Sequence, residues 1–337
     1  MSKANLFSGL IISATDPKTD RKAFLWQNGE KRYYTLNQHL REIFGEKVFK
    51  VSLDAGFTCP NRDGKLGTGG CIYCSARGSG DFAGQADKSI HDQFAEIKEV
   101  MSRKWANAKY LAYFQAYTNT YAPLERLKEV YEQALQEEGV VGLAIATRPD
   151  CLPEEILDYL EELNQRTYLW VELGLQSVHD RTMEWVGRGH TYADFLDGVE
   201  KLRKRGIRVC AHLIFGLPGE SIQDMKASAQ AVAQLPLQGV KLHLLHVLRG
   251  TPLGELYKDQ PFPLLSQEEY ITLIADVLEI LPSDFVIHRL TGDAPRQDLI
   301  APQWSLKKWE ILNAIDRELE QRGTWQGKKK QPEADVT

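Results

Sequence analysis

The chain has 337 residues, 43% hydrophobic and 26% charged, with a formal net charge of −5. That length supports one large domain or two ordinary ones, and no apolar run reaches the roughly 18–20 residues of a membrane span. The acidic total excludes a general polycation, although a local patch can still hold phosphate. The apolar stretch at Leu10–Ile12 is too short for a secretory segment and predicts a cytoplasmic protein.

Residues 1–45 mix charges and aromatics and read as an extension. VFKVSL (48–53) predicts a first strand, followed by a Gly- and Cys-rich loop and a helix over about 88–105. YLAYFQA (110–116) predicts the second strand, with a helix from Pro123 to about Gln136, and VVGLAIA (140–146) the third. A helix opens at Pro153, a favourable first-turn proline. YLWVELGL (168–175), a helix over about 192–205, IRVCAHLIFG (207–216), a helix over about 221–234 and VKLHLLHVL (240–248) complete the series. Strands separated by single helices imply parallel βαβ units with right-handed crossovers. Six such strands fall short of the eight of a closed barrel. The α/β pattern therefore predicts a partial (β/α)6 barrel over 46–290, with a doubly wound open sheet as the alternative. Residues 291–325 predict a cap ending in a helix (LKKWEILNAIDRELEQRG), and 326–337 a polar, disordered tail.

Five cysteines are an odd number, and three of them crowd between positions 59 and 74. In a cytosolic enzyme such crowding indicates metal ligation rather than disulfides. Cys59 is followed by eleven residues and then Cys71-Ile-Tyr-Cys74, directly after the first predicted strand, on a barrel's active face. An iron–sulfur cube usually takes four thiolates, so three leave one iron open to an exogenous chelator. Glycines 64, 67, 69, 70, 78 and 80 let the loop curl around such a group. A structural zinc site calls for a fourth Cys or His, and the nearest later candidate, His91, falls in the predicted helix. A thioredoxin-like CxxC needs neither Cys59 nor the glycines. Spacing alone leaves the three readings open, with the cluster foremost.

Strand alternation puts Trp170, Glu172, Gly174 and Gln176 on one face and Leu169, Val171, Leu173 and Leu175 on the other. The first set suits a polar interior and the leucines suit contact with helices. A buried Glu172 paired with Arg148 is the plainer alternative for that carboxylate. Thr118 and Asn119 end strand two, as ligand-facing donors and acceptors or as turn residues. Arg148, ending strand three, either holds a carboxylate or phosphate, or bridges to Glu172 or Asp150. His243 and His246 fall on opposite strand faces and so do not share an ion. Cys210 reads as core and Cys151 as lying near the mouth. Arg289 and Arg296 lie in a loop that serves as lid or salt-bridged cap.

A Cys-rich loop after strand one with Tyr73 just before the last Cys resembles the radical S-adenosylmethionine (SAM) superfamily. GFTCPNRDG and CIYCSARGSGDF, followed in order by FQAYTNTYAP, ATRPDCLP, ELGLQS, FGLPGE, HLLHVLRGTPL and HRLTGD, resemble a bacterial branch related to the Elongator catalytic subunit. The likeness extends over about Tyr33 to Trp309 and leaves no room for that subunit's acetyltransferase domain. It implies a TIM-like radical SAM barrel whose [4Fe–4S] cluster is held by Cys59, Cys71 and Cys74. The open iron chelates SAM, and one-electron reduction by a donor such as flavodoxin or ferredoxin yields a 5′-deoxyadenosyl radical. By position it assigns SAM contacts to Thr118 and Asn119 (amino group, although the family's two glycines and acid are missing), Arg148, Glu172 (ribose), Gln176, and the backbone of Val247 and Leu248 (adenine). GLPGE (216–220) is implied to pack near SAM. The implied substrate is tRNA, at a wobble uridine, with KLRKR (201–205), SRKWANAK (102–109) and the lysines at 328–330 as basic support. A small-molecule substrate is the alternative, and a zinc-stabilised RNA-binding module the non-enzymatic one. Cys210→Ala is expected to keep SAM cleavage, measured as 5′-deoxyadenosine; loss of product from a folded variant would refute the core reading of that thiol.

Overall fold

A computed structural model describes residues 31–102 and 108–330. All six predicted strands form: β1 Val48–Leu53, β2 Lys109–Phe114, β3 Val140–Thr147, β4 Tyr168–Gln176, β5 Arg208–Phe215 and β6 Gly239–Leu244. The last predicted strand is two elements, because the chain leaves β6 at Leu245 and re-forms a short β7 at Val247–Leu248. A strand the alternation did not reveal, β8 Val286–Arg289, makes the parallel half-barrel seven-stranded in the order β1-β2-β3-β4-β5-β6-β8. It is only four residues long, too short to display a period. β9, Leu299–Ala301, pairs antiparallel with β7.

Parallel strands covered on both sides read as continuous apolar runs, and β3 and β4 are buried almost throughout. Leu169, Val171, Leu173 and Leu175 pack outward into the core beneath the helices, while Trp170 faces the lumen, as alternation predicts. Three crossover helices begin with capping boxes, Thr191 with Asp194, Ser221 with Asp224 and Ser266 with Glu269, each satisfying otherwise orphaned N–H groups. The last of these opens helix Gln267–Ile280, which carries the chain from β6 to β8, and helix Lys308–Gln321 packs on it.

Two boundaries are corrected. Residues 33–45 are part of the barrel rather than an extension: Thr35 caps helix Leu36–Phe44, Leu40 enters the lumen core, and Ile287 N–H donates to Tyr34 O at 2.7 Å. This segment lies between β1 and β8, the two edges that a half-barrel leaves open. Gln326, expected in a disordered tail, is fully buried, its amide donating to Pro282 O and Phe285 O and accepting from Tyr34 N–H. The rest of the extension and residues 331–337 lie outside the described residues. Among the described residues, no helix is long and apolar enough to cross a membrane.

Gly142 in β3 leaves no room for a side chain, since a Cβ would stand 2.0 Å from Tyr168 O. Gly142→Ala is expected to lower stability by about 1–3 kcal/mol or more, measured by denaturant unfolding; an unchanged midpoint would mean that β3 and β4 are not so closely apposed.

Candidate functional site

The carboxyl ends of the strands surround a cavity of about 270 Å³. Its rim is the Cys loop, folded on itself by Arg62 N–H to Cys59 O (2.8 Å), Gly70 N–H to Asn61 O (2.8 Å) and Cys74 N–H to Cys71 O (2.9 Å). The free thiols of Cys59, Cys71 and Cys74 all line this cavity. Among the described residues, no three His, Cys, Asp or Glu side chains close on a point as a single ion requires. Cys71 Sγ lies 3.4 Å from Asn61 Nδ2 and 3.8 Å from Arg188 Nη1. The Cys74 thiol donating to it, with the Arg188 guanidinium and Asn61 amide behind, holds Cys71 well below an ordinary thiol despite burial.

Asn61 and Arg188 escape the sequence reading. Arg188 sits in the turn Val186-Gly187-Arg188-Gly189-His190, whose two glycines take φ of +67° and +73°. Its Nη2 donates to Gly174 O at 3.0 Å, and a Cβ on Gly174 would stand 2.5 Å from that nitrogen. The signal available was thus a glycine on the inward face of β4 and a second pair flanking a lone arginine.

Beneath the thiols lies a buried ionic centre. The Glu172 carboxylate, with no accessible surface, accepts from the ammoniums of Lys50 and Lys241, from His212 Nε2 at 3.0 Å and from His288 Nδ1 at 3.2 Å. Burial pushes the imidazoles down, His212 to about 4 and His288 to about 3, so both donate as neutral rings. Burial also lowers Lys241 to about 8, against the pull of Glu172. Lys241 Nζ donates to Tyr113 Oη at 2.8 Å, and Tyr113 faces the cavity.

The assigned SAM contacts divide. Thr118 lines the cavity with a buried hydroxyl that lacks a partner, and Gln176 lines it too. Glu172 lines the cavity as well, and its oxygens already accept from the lysines and histidines rather than from Arg148. Arg148 grips Asp150 through two bonds (2.9 and 2.7 Å) and donates to the carbonyls of Arg188 and Gly189, leaving its fork spent on the turn that carries Arg188. Asn119 is a turn residue, its amide donating to Phe114 O, Ala116 O and Ala146 O. Val247 and Leu248 pair with β9 and Leu248 O accepts from Thr251 Oγ1, while Leu248 also lines the cavity. His243 and His246 are brought together over Gly292, because the chain leaves β6 between them and alternation no longer applies. GLPGE lies outside the cavity lining; Glu220 instead accepts from Ser177 Oγ. Cys151 lines a separate surface cavity, and Arg289 ion-pairs with Asp293 at the mouth.

KLRKR is neutralised locally, whereas of the lysines at 328–330 only Lys329 meets a carboxylate among the described residues. Arg205 meets Glu154 and Asp158, Arg203 and Lys204 meet Glu200, Lys201 meets Asp197 and Lys329 meets Glu279. Residues 103–107 lie outside the described residues.

Residues 62–232 match the Radical SAM superfamily, and 237–321 match the Radical_SAM C-terminal domain. The chain is 56% identical over 305 residues to the uncharacterized protein YtqA of Bacillus subtilis (strain 168), spanning 90% of this chain and 95% of that one. It is 28% identical over 203 residues to a tRNA uridine(34) acetyltransferase of Methanocaldococcus jannaschii, covering 59% of this chain but 36% of that protein. The archaeal Methanocaldococcus infernus Elp3 with an N-terminal deletion shares the fold at a TM-score of 0.61 and 20% identity, over 83% of this chain and 64% of that one. The donor set fits the family's cofactors: three thiols on one wall backed by a cation, and buried polar atoms without partners at Thr118 Oγ1, Tyr73 Oη, His243 Nε2 and His246 Nε2.

Glu172→Gln leaves two lysines without a counter-charge and is expected to cost about 3–5 kcal/mol by denaturant unfolding. Adding Lys241→Met should restore part of that loss. Because the folded carboxyl lies well below its ordinary value, the wild type holds this contribution above roughly pH 4.3 and loses it as pH falls through the folded value. Glu172→Gln should lack that part of the acid slope.

Proposed function

The chain belongs to the radical SAM superfamily, enzymes that use a [4Fe–4S] cluster and SAM, and from that premise we propose that it modifies tRNA at a wobble uridine. The similarity to tRNA uridine(34) acetyltransferases across the barrel carries the substrate reading. We assign the cluster to Cys59, Cys71 and Cys74, whose thiols share one cavity wall. When bound, the two cofactors supply one-electron cleavage of a carbon–sulfur bond and, through it, hydrogen abstraction from substrate.

The chain's own groups prepare that cavity. Asn61 and Arg188 stabilise the Cys71 thiolate by donation and charge. The buried Thr118 hydroxyl has no partner among the described residues and offers a polar contact to a bound molecule, and Tyr73 lies beside Cys71 on the same cavity. His243 and His246, held neutral by burial, present imidazole nitrogens rather than charge. Ile214, Leu244 and Leu245 form an apolar wall that limits water. The reductant is a low-potential protein such as a flavodoxin or ferredoxin. Five cysteines, all free thiols, accord with the cytoplasm.

Cys59→Ala, Cys71→Ala and Cys74→Ala should each lose the iron–sulfur absorption after anaerobic reconstitution and with it 5′-deoxyadenosine formation. A variant retaining both refutes its assignment. Mass spectrometry of tRNA nucleosides from cells with and without the protein should show one wobble-uridine derivative replaced by its precursor; identical profiles would favour a small-molecule substrate.

A further inference from the structure

The inward face of β4 continues below Glu172 with Trp170 and Tyr168, each two residues from the last. Trp170 is fully buried, and its ring lies 4.5 Å from that of His288, which bonds Glu172. Trp170 Nε1–H donates to Tyr168 Oη at 2.7 Å. Tyr168 Oη in turn lies 2.7 Å from His39 Nε2, and His39 Nδ1 lies 3.0 Å from Tyr34 Oη. Tyr34 Oη donates to the carboxylate of exposed Glu42. The proton positions follow from one fact. Burial and Arg208 lower His39 to about 4, so the ring is neutral, with one donor and one acceptor nitrogen. Trp170 can only donate, so Tyr168 gives its proton to His39 Nε2, His39 gives its Nδ1 proton to Tyr34, and Tyr34 gives its own to Glu42. All the bonds point the same way, from the lumen to solvent at the end of the barrel opposite the thiols.

We infer that Trp170, Tyr168, His39, Tyr34 and Glu42 form a one-electron escape path that carries an oxidising equivalent from the cavity to the surface when a radical there finds no substrate. This rests on the cavity being the place of SAM cleavage, not on the identity of the substrate. Each aromatic except His39 yields an electron, and each hydroxyl has an acceptor for the proton it must shed. A stray carbon radical in the cavity takes one electron from Trp170 and one proton from the Tyr113 hydroxyl, which Lys241 refills, and a C–H bond forms. Tyr168 returns the electron to Trp170 as its O–H bond breaks and the proton moves to His39 Nε2. Tyr34 then returns an electron to Tyr168, which regains its proton from His39, while the Tyr34 proton goes to Glu42. The net change is one C–H bond formed, one Tyr34 O–H bond broken and one proton moved from Lys241 to Glu42, and the resulting phenoxyl is reduced by a soluble thiol.

Tyr113 is nearer the cavity, yet it is the poorer electron donor. The ammoniums of Lys50 and Lys241 lie over its ring at 4.5 and 4.3 Å. A ring that loses an electron between two cations forfeits both attractions. Tyr168 has a single guanidinium over it, Arg208 at 4.8 Å, and its hydroxyl has a neutral imidazole to take the proton.

The test uses the reconstituted enzyme with its cluster reduced, excess reductant and thiol removed, mixed anaerobically with SAM in the absence of RNA and frozen for electron paramagnetic resonance. A tyrosyl signal is expected that narrows with ring-deuterated tyrosine and is lost in Tyr34→Phe. In Tyr168→Phe it should be replaced by a signal that responds to deuterated tryptophan. Circular dichroism and 5′-deoxyadenosine yield should match wild type in both variants. A tyrosyl signal that persists unchanged in Tyr34→Phe, or 5′-deoxyadenosine formed with no protein radical, would overturn the path. If no 5′-deoxyadenosine forms from the loaded enzyme, the placement of SAM cleavage falls first and the path falls with it.

Discussion

One carboxylate ties the lumen together. Glu172 stands on β4 and is bonded by Lys50 from β1, His212 from β5, Lys241 from β6 and His288 from β8, with Tyr113 of β2 joined through Lys241. An isolated charge so buried would cost several kcal/mol, and the two ammoniums and two imidazoles around it offset that penalty. The consequence is geometric. The two edge strands, β1 and β8, do not pair with each other, and here Lys50 and His288 from those edges meet at the same acid. Helix Leu36–Phe44 and the Thr35–Ile287 bridge cover the remaining gap.

The thiol wall depends on that frame at one remove. Asp150 fixes Arg148, Arg148 holds the carbonyls of Arg188 and Gly189, and Arg188 spans from Gly174 O to the Cys71 sulfur. Cation, thiol and strand end are thereby in register before any cofactor arrives, which is what preorganisation requires. The absence of a side chain at Gly174 is the condition for it, since any Cβ there would occupy the guanidinium's place.

The same inner face of β4 has different chemistry along its length. Near the mouth Gly174 and Gln176 leave space, Glu172 concentrates charge in the middle, and Trp170 and Tyr168 fill the far end with packed rings. Polar groups and aromatic rings thus share one face of a single strand, separated only by two-residue steps. Deep burial serves both ends, strengthening the ionic centre and shielding the rings from water.

Much of this was legible from residue order. Apolar runs separated by helical segments, each longer than four residues, specified a parallel α/β sheet and favoured the half-barrel over a doubly wound open sheet, and the period of two on YLWVELGLQ separated the inward set from the leucines. The three crowded cysteines marked the face where the chemistry sits. What escaped had no local signature. β8 is too brief for a period, Arg188 is one arginine among many, and His243 and His246 fell on opposite faces only for a strand that continues past Leu244. Glu172 was recognised as a functional candidate, but its partners come from strands distant in sequence; for Arg148 the adjacent Asp150 was among the partners considered, and only the carbonyls of Arg188 and Gly189 were not. Periodicity and spacing act between neighbours along the chain, so the sequence by itself determined the sheet, its faces and the thiol loop. Which charges meet in the lumen, and hence which groups remain free for a ligand, was decided only when the sheet curved and brought its two edges to one carboxylate.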